Sequence, residues 1–302
     1  MRSYYLGQPI PTYLASVAVS TYTEVNQMYE TAYGPMHLQL VARPGDTTDM
    51  KNTFVELGNC VDAIESWYGP YQWERVGYVA TTVGAMEHPT NIAYPTFTAF
   101  NGNTTAHKRL MAHELAHCWW GDIVTLTSPA NMWIKEGNAE YGAHLFTLHQ
   151  DGQEAFITQV QNNFINVLKT AHYDDDDYQP LSGIPFEYTY GTHTYSKGAS
   201  MLHNMRGYLG DELFEMGQKS VLETFAYGAI DAEMYRDHLT SVTGIDMTSY
   251  FQDWIFSPGY AGYEFDALDY APAAGNTFDV TMTIAQKLRG ATNLHTNVPL
   301  DV

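Results

Sequence analysis

The run His113-Glu114-Leu115-Ala116-His117 puts two imidazoles four residues apart. On a helix that spacing projects both rings from one face. A third donor comes from Glu136, which heads Glu136-Gly137-Asn138-Ala139-Glu140-Tyr141. Two neutral imidazoles and one carboxylate form a three-donor set for zinc with an open fourth position, the arrangement hydrolytic zinc needs. Eighteen residues lie between His117 and Glu136. That length lets the first helix end, a loop turn, and a second helix bring its carboxylate back. Glu114, beside the first histidine, is placed to handle the proton of a water activated by the metal. A helix whose histidines merely satisfy hydrogen bonds leaves the carboxylate-led second helix unexplained.

The elements that must position these groups can be read around them. Thr104 or Thr105 caps the first helix and Gly121 ends it. A second helix runs from about Ala130 to Gln150. Upstream, residues 12–25 and 36–43 read as strands, rich in alternating and β-branched residues. Residues 48–68 read as a helix capped by Thr47, Thr48 or Asp49, with Phe54, Leu57, Val61 and Ile64 on one face. Residues 75–83 form a strand, and 91–98 an edge strand. Further helices are predicted over 152–171, 194–209, 211–225, 230–243 and 246–256, and strand alternation returns after Pro258. The predicted fold class is α+β: a small mixed sheet, then a mainly helical subdomain, with the zinc site between them. The acidic groups Asp122 and Glu140 are candidates to orient a ligand histidine.

His113-Glu114-Leu115-Ala116-His117-Cys118-Trp119-Trp120-Gly121-Asp122, followed by Glu136 at this spacing, resembles the gluzincin aminopeptidases. That is the family of aminopeptidase N and the leukotriene epoxide hydrolase. The thermolysin family shares the two-histidine motif, but its glutamate ligand lies one residue further on. Gly84-Ala85-Met86-Glu87-His88 resembles the exopeptidase motif upstream of the zinc helix, with His88 where asparagine is usual. Tyr195-Ser196-Lys197-Gly198-Ala199 resembles the family's Tyr-x-Lys-Gly-Ala segment. The resemblance implies a thermolysin-like catalytic domain over residues 12–265, β-rich over 12–103 and α-rich over 104–257. Residues 1–11 would be the tail of a missing N-terminal β-domain, and 266–302 the start of a downstream one. It implies one zinc per chain, Glu114 as base, and Tyr195 stabilising the oxyanion. It also implies substrate contact by Gly84, Ala85, Met86 and Glu87, with Glu87 holding the free α-amino group. The expected activity is removal of N-terminal residues from peptides. An endopeptidase, an epoxide hydrolase, or an inactive binding fragment are the rivals.

Composition bounds the partners. Fourteen Lys and Arg against 34 Asp and Glu make nucleic acid and anionic membrane surfaces poor partners. No run approaches the roughly 20 apolar residues of a membrane helix. The expected partners are peptides with a free N-terminus. A secreted or periplasmic setting is slightly favoured over the cytoplasm, and the oligomeric state is left open. Cys60 and Cys118 show no disulfide spacing, and Cys118 reads as a small packing residue. The run Asp174–Asp177 lacks the alternation and glycine of a calcium loop and reads as a solvated loop.

Overall fold

A four-stranded mixed sheet opens the structure, which is a computed structural model describing residues 5–299. Residues 1–4 and 300–302, the outer ends of the two expected flanking β-domains, lie outside the described residues. Strands β1 (Thr23–Thr31) and β2 (Gly34–Ala42) form an antiparallel hairpin. Strands β3 (Val76–Thr81) and β4 (Ile92–Pro95) then add in parallel, in the order β1-β2-β3-β4. The last of these, β4, is an edge strand as expected. The first predicted strand is displaced. Residues 12–14 make a single 3-10 turn and 15–22 are mostly exposed, so the β-branched residues there meet no partner strand. Instead the tight reversal that pairs Thr31 with Gly34 sets the register of β1.

The helix expected over 48–68 is two helices, α1 (Thr47–Thr53) and α2 (Leu57–Tyr68). The break lets the Phe54 ring turn inward, where it packs on Tyr78, Tyr94 and His107 with ring centroids 4.9, 5.1 and 4.6 Å away. The residue before α1 is Asp46 rather than Thr47, Thr48 or Asp49, and its side chain makes no capping bond. A one-turn helix α3 (Thr96–Ala99) follows β4.

The second layer is helical. Helix α4 (Thr105–Ala116) is capped by Thr104, whose hydroxyl accepts from the His107 amide at 3.1 Å. Helix α5 (Trp133–Asp151) is its centrepiece, buried at every position from Trp133 to Phe146. Around it lie α6 (Gln153–Asn166), the single turn α7 (His172–Asp174), α8 (Gly198–Leu209), α9 (Asp211–Thr224), α10 (Ala232–Thr243) and α11 (Thr248–Phe251). Two glycines let α5 approach its neighbours closely. A Cβ on Gly142 would sit 2.6 Å from the Ala116 Cβ of α4, and one on Gly137 would sit 3.0 Å from the Gly198 backbone of α8. These crossings bring Glu136 beside the histidines and beside the turn that carries Tyr195. A short parallel pair, β5 (Val124–Leu126) with β6 (Gly228–Ile230), joins the loop after α4 to the later helices. The described chain ends in a hairpin of β7 (Tyr260–Pro272) and β8 (Phe278–Arg289). Among the described residues no helix is long and apolar enough to cross a membrane.

Candidate active site

Helix α4 presents His113, and His117 at its C-cap continues the same face, with Nε2 atoms 3.1 Å apart. Glu136, in the first turn of α5, brings Oε2 to 3.4 Å from His113 Nε2 and 3.2 Å from His117 Nε2. All three side chains are buried, and their donor atoms lie within 4.8 Å of one another. Two imidazole nitrogens and a carboxylate oxygen aimed at one point would leave lone pairs facing lone pairs, which a cation resolves. The donor set therefore fits a metal ion of zinc type.

The orientation of each imidazole is fixed from behind. His117 Nδ1 lies 2.9 Å from the Trp120 carbonyl, and His113 Nδ1 lies 3.3 Å from Glu140 Oε2. Both contacts turn Nε2 toward the centre, the arrangement that sets a ligand tautomer. Glu140 is itself held by an ion pair with Arg109. Glu140 thus lies behind His113, whereas Asp122 contacts neither histidine. Both Asp122 oxygens are buried without a hydrogen-bond partner, and burial, with Glu87 nearby, pushes its carboxyl well above the usual range. The backbone explains the difference, because the Trp120 carbonyl already occupies the place behind His117.

Glu114 is 6% exposed, beside the two rings. Burial, reinforced by Glu87 and Glu136 and opposed by His113 and His117, pushes its carboxyl up to about 7. A carboxylate so placed is a proton acceptor beside the donor set.

Tyr195 sits in a π-turn, His193–Lys197, that runs directly into α8. π-Turns within helices are frequent at functional sites. Its ring stacks on His113, and burial together with the nearby Glu136 carboxylate pushes its phenol far up, so it remains a hydrogen-bond donor. Asp175 braces this turn, accepting from the amides of Thr192 (3.1 Å) and His193 (2.8 Å) and contacting His193 Nδ1 at 2.6 Å. Asp175 is 2% exposed, so the Asp174–Asp177 run is only partly the solvated loop its sequence suggests. Asn163 adds a bond to the Ser196 carbonyl at 2.7 Å.

Glu87 follows β3 on a segment held to β4 by a two-bond bridge between Met86 and Ala93. Exposed Gly84 and half-buried Ala85 precede it, and a Cβ on Gly84 would meet no protein atom within 4 Å. Glu87 itself is buried and paired with the Lys135 ammonium, which also lies 3.5 Å from Glu136 Oε1. Burial would raise the Glu87 carboxyl, but His117 and Lys135 outweigh it and hold it below the usual range. His88 plays a structural part. Its Nδ1 lies 2.9 Å from the Leu14 carbonyl, pinning the turn at residues 12–14 beside the site. Lys135 is a residue that the sequence motifs do not single out. Its one signal is a lysine directly before the ligand Glu136 in an otherwise apolar helix start, a cation that burial would oblige to find a partner. Cys118 behaves as expected, buried and unpaired.

The centre thus has the layout of a metallohydrolase, set between a mixed sheet and a helical layer. The peptidase family M1 domain matches residues 55–254, and the chain belongs to that family. It is 25% identical over 266 residues to a leucyl aminopeptidase of Saccharolobus solfataricus, covering 82% of this chain and 33% of the relative. It is 24% identical over 277 residues to a glutamyl aminopeptidase of Rattus norvegicus, covering 83% of this chain and 28% of the relative. The chain therefore spans about a third of the length of these curated relatives. The fold resembles the crystal structure of an M1 zinc metallopeptidase from Deinococcus radiodurans, with a TM-score of 0.72 at 22% identity over 83% of this chain and 55% of that one. The expected family and fold class are borne out.

Proposed function

We propose that this chain acts as a zinc-dependent aminopeptidase, removing single residues from the N-termini of peptides. The observation that carries the reading is the convergence of His113, His117 and Glu136 with Glu114 beside them and Tyr195 stacked against His113. Zinc held by His113, His117 and Glu136 would polarise the scissile carbonyl and make a water acidic enough to lose its proton near pH 7. Glu114 takes that proton and returns it to the leaving amine. The Tyr195 phenol donates to the oxyanion as it develops. Glu87, on the segment that begins Gly84-Ala85-Met86, pairs with the substrate's ammonium and so sets which bond reaches the centre. Family membership and the names of the relatives support this over the endopeptidase, epoxide hydrolase and binding-fragment readings.

A panel of fluorogenic amino-acid amides, assayed with and without a chelator beside elemental analysis, tests the proposal. The expected result is one zinc per chain, hydrolysis of free-amine amides, and loss of hydrolysis on chelation that zinc restores. Hydrolysis that persists in metal-free protein contradicts it.

A further inference from the structure

Glu87, the carboxylate assigned to the substrate's ammonium, already carries a cation of the protein's own. The Lys135 ammonium pairs with Glu87 Oε1 and lies 3.5 Å from Glu136 Oε1. This lysine is built into place. Gly121 has φ +128°, and a Cβ there would sit 3.1, 3.2 and 3.3 Å from Lys135 Cγ, Cδ and Cε, so the missing side chain makes the channel for the lysine stem. The ammonium also lies 5.3 Å from the centre of the Tyr13 ring, on the turn that His88 pins. The Lys135 side chain is 6% exposed, against 10% for His113 and 5% for Glu136. It is therefore as buried as Glu87, at 4%, and Glu114, at 6%, the groups assigned to the substrate's ammonium and to the proton.

We infer that Lys135 is a specificity-determining residue that selects peptides whose first residue bears a carboxylate side chain. The inference rests on the aminopeptidase reading. With Lys135 on Oε1, an incoming ammonium is left with Oε2, a few ångströms from a fixed like charge. Like charges in a buried site are costly. A first residue that carries its own carboxylate resolves this. Its ammonium meets Glu87, its side chain meets Lys135, and the four charges alternate. A neutral first residue leaves its ammonium and Lys135 side by side on Glu87, and a lysine or arginine there adds a third cation. The order of preference is acidic, then neutral, then basic. If Lys135 served only to neutralise Glu87, its removal would change stability but leave the order untouched.

The test compares kcat/KM for the glutamyl, alanyl and lysyl amides of one fluorogenic amine, with the zinc-loaded full chain. For the parent, glutamyl should exceed lysyl by about a hundredfold, roughly tenfold for each step of the series. Lys135→Met should collapse that ratio to within about threefold, mainly through KM, and Lys135→Arg should keep the order because it keeps the charge. Since Lys135→Met leaves Glu87 buried without its cation, zinc content and circular dichroism are measured beside it. If it does not fold, the parent series and Lys135→Arg decide. A flat parent series with good alanyl turnover overturns this inference and leaves the aminopeptidase reading standing, as does an unchanged order in Lys135→Met. If none of the three amides is cleaved, the aminopeptidase reading fails and this inference falls with it.

Discussion

The ring of Tyr195 lies stacked on that of His113, with centroids 5.9 Å apart and planes inclined by 27°. The contact joins the π-turn of His193–Lys197 to the histidine face of α4. It places the phenol beside the carboxylate of Glu136. Tyr195→Phe keeps the stacking and removes only the hydroxyl. Turnover is expected to fall about 10²–10³-fold, the usual effect of losing one oxyanion donor, with KM changed much less. Steady-state kinetics at saturating zinc check this. A loss seen mainly in KM would assign Tyr195 to ground-state binding.

Glu114→Gln separates metal binding from chemistry. The amide preserves shape and cannot accept a proton. Zinc content is expected to stay at one per chain while kcat falls by roughly 10²-fold or more. Near-parental turnover in this variant would show that another group serves as base.

Glu140 is expected to act on the metal through His113. Its Oε2 lies 3.3 Å from His113 Nδ1 and fixes the direction of the ring. Glu140→Gln should weaken zinc affinity by about 10–100-fold, the usual effect of losing such a partner. Competition with a chelator of known affinity measures the change. Asp122→Asn, by contrast, should leave zinc affinity close to the parent, because Asp122 holds no ligand histidine.

His107 links stability to pH. It is fully buried in the aromatic cluster, with Nδ1 3.0 Å from the Tyr94 hydroxyl, and burial pushes its pKa down to about 4. In the unfolded chain the value is about 6.5. Above that pH both states are neutral and the group has no effect. As pH falls from about 6.5 toward 4, the unfolded chain takes up a proton that the folded one refuses, so stability is lost, by at most about 3 kcal/mol. Urea unfolding at pH 7 and pH 4.5 should show a larger loss for the parent than for His107→Gln. Equal losses would mean that His107 is not the group responsible.

Much of the site is legible in the sequence because it is encoded locally. The spacing of His113 and His117, the Thr104 cap and the position of Glu136 each reside in one short segment, and the structure assembles them as their spacing leads one to expect. What is not legible depends on distant partners. Nothing in residues 12–25 reveals that most of them lack a neighbouring strand, so their β-branched content misleads. The break between α1 and α2 follows from the aromatic cluster that receives Phe54, whose members come from β3, β4 and α4. Lys135 gives no sign of its partner, because Glu87 reaches it only through the packing of the β3–β4 segment on the start of α5. Asp122 looks like a second acidic support for a histidine until the Trp120 carbonyl is found in that place.

The exopeptidase assignment rests on Glu87, and one comparison tests it most directly. A ten-residue peptide and its N-acetylated twin are incubated with the zinc-loaded chain, and the products are followed by mass spectrometry. The expected result is stepwise loss of single residues from the free N-terminus and an intact acetylated twin, because Glu87 has no ammonium to hold in the latter. Glu87→Gln should slow the free peptide by about tenfold or more and leave the twin uncut. Internal cleavage, or equal cleavage of the two peptides by the parent, would contradict the assignment and make the chain an endopeptidase.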